Sequence, residues 1–144
     1  MNVDGIKKGI VLDHIKAGRG MDIYRLLHLE KMKCSVAIVQ NARSTKYGRK
    51  DIIKIDEMIT LDMDMLGYID PNITINIVEN GKLHEKKNLE LPEKLTNVIR
   101  CHNPRCITST EQEIKHTFLL ADRENRIYRC IYCDVAHKEQ MVYY

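Results

Sequence analysis

CHNPRCITSTEQEIKHTFLLADRENRIYRCIYC, residues 101–133, carries four of the chain's five cysteines in two close pairs. The spacing is Cys101-x4-Cys106, then a long interval, then Cys130-x2-Cys133. Two pairs of thiolates, each held in a tight turn, can present four sulfurs tetrahedrally to one Zn²⁺ at ~2.3 Å. A redox dithiol is the rival reading of Cys130-x-x-Cys133. That motif opens a helix, where the thiol pKa is lowered, whereas RIYRCIYCD reads as a strand. With thiolate in all four positions no place is left for water or substrate, so the expected site is structural. His102, His116 and His137 lie close in sequence and are expected to be surface or packing residues.

Around the cysteines the chain reads as short strands, HTFLL, RIYRC and HKEQMVYY, too few to bury a self-sufficient core. Segments this small usually need a metal or disulfide staple, so the expectation is a small all-β zinc-binding domain. N-terminal to it, KKNLELPEKLTN is polar and contains Pro92. The domain reading is therefore 1–92, a linker at 93–97, and 98–144.

The first part alternates strands and helices. GIKKGIVLDHI (5–15) is rich in β-branched residues and predicts a strand, and Ile23, Leu26 and Leu27 predict a helix over 21–31. Strands follow at 34–41 and 49–56, with Cys34 expected to be a buried, reduced thiol. A short helix, LDMDML, has Thr60 as its N-cap and is stopped by Gly67 and Pro71. Residues 73–79, Asn80-Gly81 and 82–86 predict a β-hairpin, because Asn-Gly suits a type I′ turn. The order β-α-β-β-α-β-β predicts an α+β fold: an antiparallel sheet with two helices on one face, a ferredoxin-like sandwich.

The chain has 144 residues, 44% hydrophobic and 30% charged, with a net charge of +3. This mild charge does not indicate a nucleic-acid partner, since dedicated binders show a stronger or clustered basic bias. The N-terminus lacks the apolar run of a signal peptide, and no stretch reaches the ~18 apolar residues of a membrane span. The expected compartment is the reducing cytoplasm, with no membrane partner, and there closely spaced cysteines favour metal over disulfide.

Three polar features stand out in the N-terminal part. Asp13-His14 closes the first strand. Lys50 and Lys54 share a face of another, with Cα atoms ~13 Å apart. Lys82, Lys86 and Lys87 follow the Asn-Gly turn. Such residues converging on a sheet could bind a polyphosphate, with an aspartate accepting from a ribose hydroxyl; alternatively, edge lysines only deter strand pairing. Neither a Walker-type loop nor G-x-G-x-x-G is present, and no nucleophile–base pair is identifiable, so no catalytic residue is expected.

Taken together, Asp13-His14-Ile15, the run Gly48-Arg49-Lys50-Asp51-Ile52-Ile53-Lys54-Ile55, Asn97-Val98 before Cys101-x-Asn103-x-x-Cys106-Ile107, and Cys130-x-x-Cys133 resemble the aspartate carbamoyltransferase regulatory chain over essentially the full length. The resemblance implies a non-catalytic subunit of pyrimidine biosynthesis that binds CTP, UTP and ATP and controls a separate catalytic chain through its zinc domain. It also implies regulatory homodimers, three of which join two catalytic trimers. Residue by residue, it implies Asp13 at the ribose, His14 and Lys86 at the phosphates, and Lys54 at the ribose and base. Lys50 with Val3 and Asp4 would complete the site or reach a second nucleotide. Backbone near Ile6 and Gly81 would face the base edge. Leu83 is a conservative occupant of its position, Gly81 stands where a larger residue is common, and Arg105 replaces a smaller polar residue in the first zinc loop. A zinc-ribbon nucleic-acid-binding protein with a ligand-sensing N-terminal domain is the alternative. It is disfavoured by the interleaved charges of DRENR and HKEQ.

Overall fold

The structure is a computed structural model and describes residues 6–137. The run GIVLDHIK forms strand β1 (Gly9–Lys16), nearly all of it buried. An apolar run without alternation is what a strand covered on both faces needs. Accordingly β1 is central in a five-stranded antiparallel sheet of order β2-β3-β1-β4-β5, with β2 Val36–Ser44, β3 Gly48–Ile55, β4 Thr74–Glu79 and β5 Lys82–Asn88. Asn80 and Gly81 turn the β4–β5 hairpin with φ of 53° and 75°, the two positive values that a type I′ turn requires.

The register sorts the side chains onto two faces. Ile10, Leu12, Ile53, Ile55 and Ile75 are paired or alternate with one another and are all buried. Helix α1 (Gly20–Leu26) lies on this side, with Gly20 against Asp51 and Ile23 fully buried. The expected helix over 21–31 is shorter. His28 adopts a left-handed conformation (φ 54°), and a single 3₁₀ turn, Leu29–Lys31, replaces the last helical turns. The opposite face has a smaller apolar cluster of Ile6, Val11, Ile52 and Val78, with Ala42 against it.

A second antiparallel sheet has the order β6-β7-β8-β9, with β6 Lys94–Thr96, β7 Thr117–Asp122, β8 Ile127–Cys130 and β9 Ala136–His137. Strand β6 arises in the stretch read as linker: Leu95 is fully buried and pairs with Phe118. The remainder of the expected last strand, 138–144, lies outside the described residues.

By internal packing the chain divides into two units, Met1–Met63 with Asp70–Leu89, and Asp64–Ile69 with Glu90–Tyr144. The second expected helix, α2 (Met63–Ile69), therefore groups with the second sheet. Tyr68 sets its ring edge-on to Tyr128, with centroids 5.3 Å apart. Gly67 does not stop this helix. It lies within it, where a Cβ would come 2.2 Å from the Glu90 carbonyl oxygen, so only glycine allows the close approach. Cys34 precedes β2 and is half-buried rather than buried.

Candidate effector face and metal centre

In an unbroken strand Asp13 and His14 would point to opposite faces. The structure places a bulge there: pairing of β1 with β3 shifts between Leu12 and Ile15, and His14 has φ 59°. A bulge re-aims a side chain, and here both residues reach the face opposite α1. The Asp13 carboxylate meets Lys50 Nζ at 3.0 Å and accepts the His14 backbone N–H at 2.7 Å. His14 Nδ1 is 2.6 Å from Thr74 Oγ1, which engages one of the two ring nitrogens. The ring of Tyr47, in the β2–β3 turn, stands edge-on to the imidazole at 6.4 Å.

A cross-strand row runs over the same face. Lys54 pairs with Val11, Val11 with Asn76, and Asn76 with Lys86. Lys50 and Lys54, expected to share a face, flank Ile52 on it. The floor is thus apolar and the rim cationic. Burial lowers the His14 pKa from its ordinary 6.5; Asp13 opposes this, while Lys50, Lys86 and Lys46 add to it.

Leu83, half-exposed on the β5 edge strand, pairs with Val78, and Gly81 donates its N–H to the Lys7 carbonyl at 2.9 Å. Lys7, Lys8, Glu79, Asn80 and Gly81 line an open cavity at this end of the sheet, next to the buried Ile6. Val3 and Asp4 lie outside the described residues. Sequence reading missed Thr74, Asn76, Lys46 and Tyr47. Asn76 is 8% exposed, and its Oδ1 is buried without a hydrogen bond among the described residues. A polar residue within ITINIVE was the available signal, but only the register sets it between Lys54 and Lys86.

In the second unit Cys101, Cys106, Cys130 and Cys133 bring their sulfurs within 4.8 Å of one another. The Cys101–Cys133 and Cys106–Cys130 separations are 3.6 and 3.7 Å. Four sulfurs at ~2.3 Å from a tetrahedral zinc lie ~3.8 Å apart, so the cluster fits such an ion and is a closed structural metal site.

Each turn is locally fixed. Asn103 accepts from the Arg105 and Cys106 backbone and from Ser109 Oγ, which shapes the first loop. Asp134, at φ 63°, donates to the Cys130 carbonyl and closes the second. Burial pushes the Cys101 thiol up to about 12 and also raises Cys130. At Cys133 burial also opposes the thiolate, but hydrogen bonds from Asn103, the Val135 backbone and the neighbouring thiols outweigh it and lower the value to about 7. A bound cation favours the thiolate at all four sulfurs, so metal binding releases protons. His116 is buried and accepts the Cys101 N–H on Nδ1 at 3.0 Å, while His137 packs edge-on to Phe118. Both therefore support the site from outside the sulfur cluster.

Residues 1–90 match the family described as the aspartate carbamoyltransferase regulatory chain, allosteric domain, and residues 93–143 match its metal binding domain. The chain belongs to the aspartate carbamoyltransferase regulatory-chain family. Among relatives of that name, the one from Clostridium tetani is 52% identical over 139 residues, 96% of each chain. Another, from Clostridium botulinum, is 52% identical over 134 residues, covering 93% of this chain and 92% of its own. The Bifidobacterium longum chain is 42% identical over 93% of this chain and 96% of its own. As a family member the chain is a regulatory, non-catalytic subunit, and the absence of any nucleophile–base pair in its motifs is understood on that basis. No helix among the described residues is long and apolar enough to cross a membrane.

Proposed function

We propose that this cytoplasmic chain binds CTP, UTP and ATP on the sheet face of Asp13 and His14 and controls the catalytic chains of aspartate carbamoyltransferase, in pyrimidine biosynthesis. The carrying observation is the row Lys54–Val11–Asn76–Lys86 beside the Asp13–His14 bulge. It supplies cations for phosphates, an apolar floor for a base, and amide and carboxylate oxygens for sugar and base donors. In this reading Asp13 accepts from the ribose, Lys54 lies at the ribose and base, and His14 and Lys86 hold phosphates. Lys50, Val3 and Asp4 complete the site, the backbone near Ile6 and Gly81 faces the base edge, and Leu83 flanks it.

The metal is zinc, as four thiolates at tetrahedral spacing favour. The 1–92 part is the effector domain and 98–144 the zinc domain, which meets the catalytic chain. In support, Ile107, Ile131, Tyr132 and Val135, on the two cysteine loops, are all exposed, an apolar set of the kind that marks an interaction surface. Homodimers form through the first sheet, whose two edges differ. Strand β5 is exposed and rich in charge, a pattern that deters pairing, whereas β2 opens with Val36-Ala37-Ile38-Val39. Three such dimers joining two catalytic trimers complete the assembly.

Control then is a coupling free energy, typically ~1–3 kcal/mol, and it exists only if a nucleotide binds the two states of the assembly unequally. Lys54→Ala and Lys86→Ala each weaken CTP binding and leave assembly with the catalytic chain intact. Isothermal titration of the purified variants decides this, and wild-type affinity in both would overturn the site.

A further inference from the structure

The turn between β2 and β3 brings two residues over His14 that the nucleotide reading does not use. Tyr47 is held by its backbone N–H to Ser44 Oγ at 3.1 Å. Its ring stands edge-on to the imidazole, 6.4 Å between centroids at 71°. On that ring rests the Lys46 ammonium, 5.2 Å from the centroid. Cation–π contact at this range holds a cation without neutralising it, and among the described residues no carboxylate pairs with Lys46.

The three ammonium groups that act on His14 are not equivalent. Lys50 is neutralised by Asp13 at 3.0 Å. Lys86 and Lys46 form no ion pair among the described residues, and Lys46 stands in the β2–β3 turn, off the cross-strand row that carries Lys86. A nucleoside monophosphate is balanced by His14 and Lys86. A triphosphate extends further and has charge left over, which a cation held on the turn over His14 can meet.

We propose that Lys46, held on the Tyr47 ring, forms a distal anion subsite next to His14 that favours nucleoside triphosphates over the corresponding monophosphates. This rests on the nucleotide reading above and adds the residues that measure phosphate length. Tyr47 is a positioning residue here: its ring, not its hydroxyl, supports the ammonium.

The test is isothermal titration of the full chain with CTP, CMP and inorganic tripolyphosphate. Lys46→Ala is expected to weaken CTP and tripolyphosphate about fivefold, the loss of one exposed charge contact, and to leave CMP unchanged. Lys46→Arg and Tyr47→Phe retain the preference, whereas Tyr47→Ala lowers it. Equal effects of Lys46→Ala on CTP and CMP, or none on either, would overturn the subsite while the nucleotide face stands. A wild-type chain that binds no nucleotide at all would remove both.

Discussion

His14 illustrates how much one residue can carry. Its backbone sits in the left-handed region, its Nδ1 is engaged by Thr74, and burial followed by nearby lysines lowers its pKa. In the free protein it is therefore mostly neutral near pH 7. The unfolded chain takes up a proton first as pH falls through 6.5, so this residue's contribution to stability is present above 6.5 and lost on acidification. A bound polyphosphate favours the imidazolium, so CTP binding should take up a proton and tighten between pH 8 and pH 6. Titration in buffers of different ionisation enthalpy measures that uptake. His14→Gln should abolish it, and an uptake that persists in the variant would assign the proton elsewhere. At this scale Asp13, His14 and Lys50 were legible, because charged residues beside a strand of β-branched residues stand out. Thr74 and Asn76 were not, since each looks like an ordinary strand residue until its cross-strand neighbours are known.

Between residues and sheet lie the two bulges that flank β3. Strand β1 shifts register between Leu12 and Ile15, and β2 between Val39 and Ala42, where Asn41 has φ 57°. Asp51 sits between them, fully buried, and accepts the backbone N–H groups of Gly18, Gly20 and Asn41 at 3.0, 2.9 and 3.0 Å. One carboxylate thus ties the approach to α1 and the β2 bulge to the strand that presents Lys50 and Lys54. Asp51→Ala leaves three backbone donors without their acceptor, that of Gly20 buried and those of Gly18 and Asn41 part-buried, and should cost roughly 2–4 kcal/mol. Urea unfolding checks this, and a change below about 1 kcal/mol would show that the donors find other partners. Element type and order were readable from periodicity and from Asn80-Gly81. The bulges were not, because a bulge is a mismatch between two strands and neither sequence alone contains it. Helix ends were misread for a related reason. Gly67 has the chemistry of a stop but serves a close approach to the Glu90 carbonyl, a distant residue in sequence.

At the scale of the whole chain the two sheets differ in what holds them. The first buries apolar residues on both faces; the second has four short strands around a metal site. Removing the ion leaves four thiols, three of them buried, held only by one another and by hydrogen bonds such as that of Thr108 Oγ1 to Cys106 Sγ at 3.0 Å. Chelation of the full chain should therefore abolish amide protection across 94–137 and in α2, while β1, β3 and β4 stay protected. Hydrogen exchange reads this directly, and persistent protection of β7 and β8 after complete metal removal would show that the sheet stands without its ion. The cysteine frame made the metal centre legible from spacing alone; the allegiance of α2 was hidden, because it depends on Tyr68 meeting Tyr128 and Gly67 meeting Glu90. That allegiance limits how the chain can be recombined. A chimera that joins one parent's 1–90 to another's 91–144 would separate 64–69 from the residues it packs with, so an exchange of metal modules between relatives must carry both pieces from the same parent.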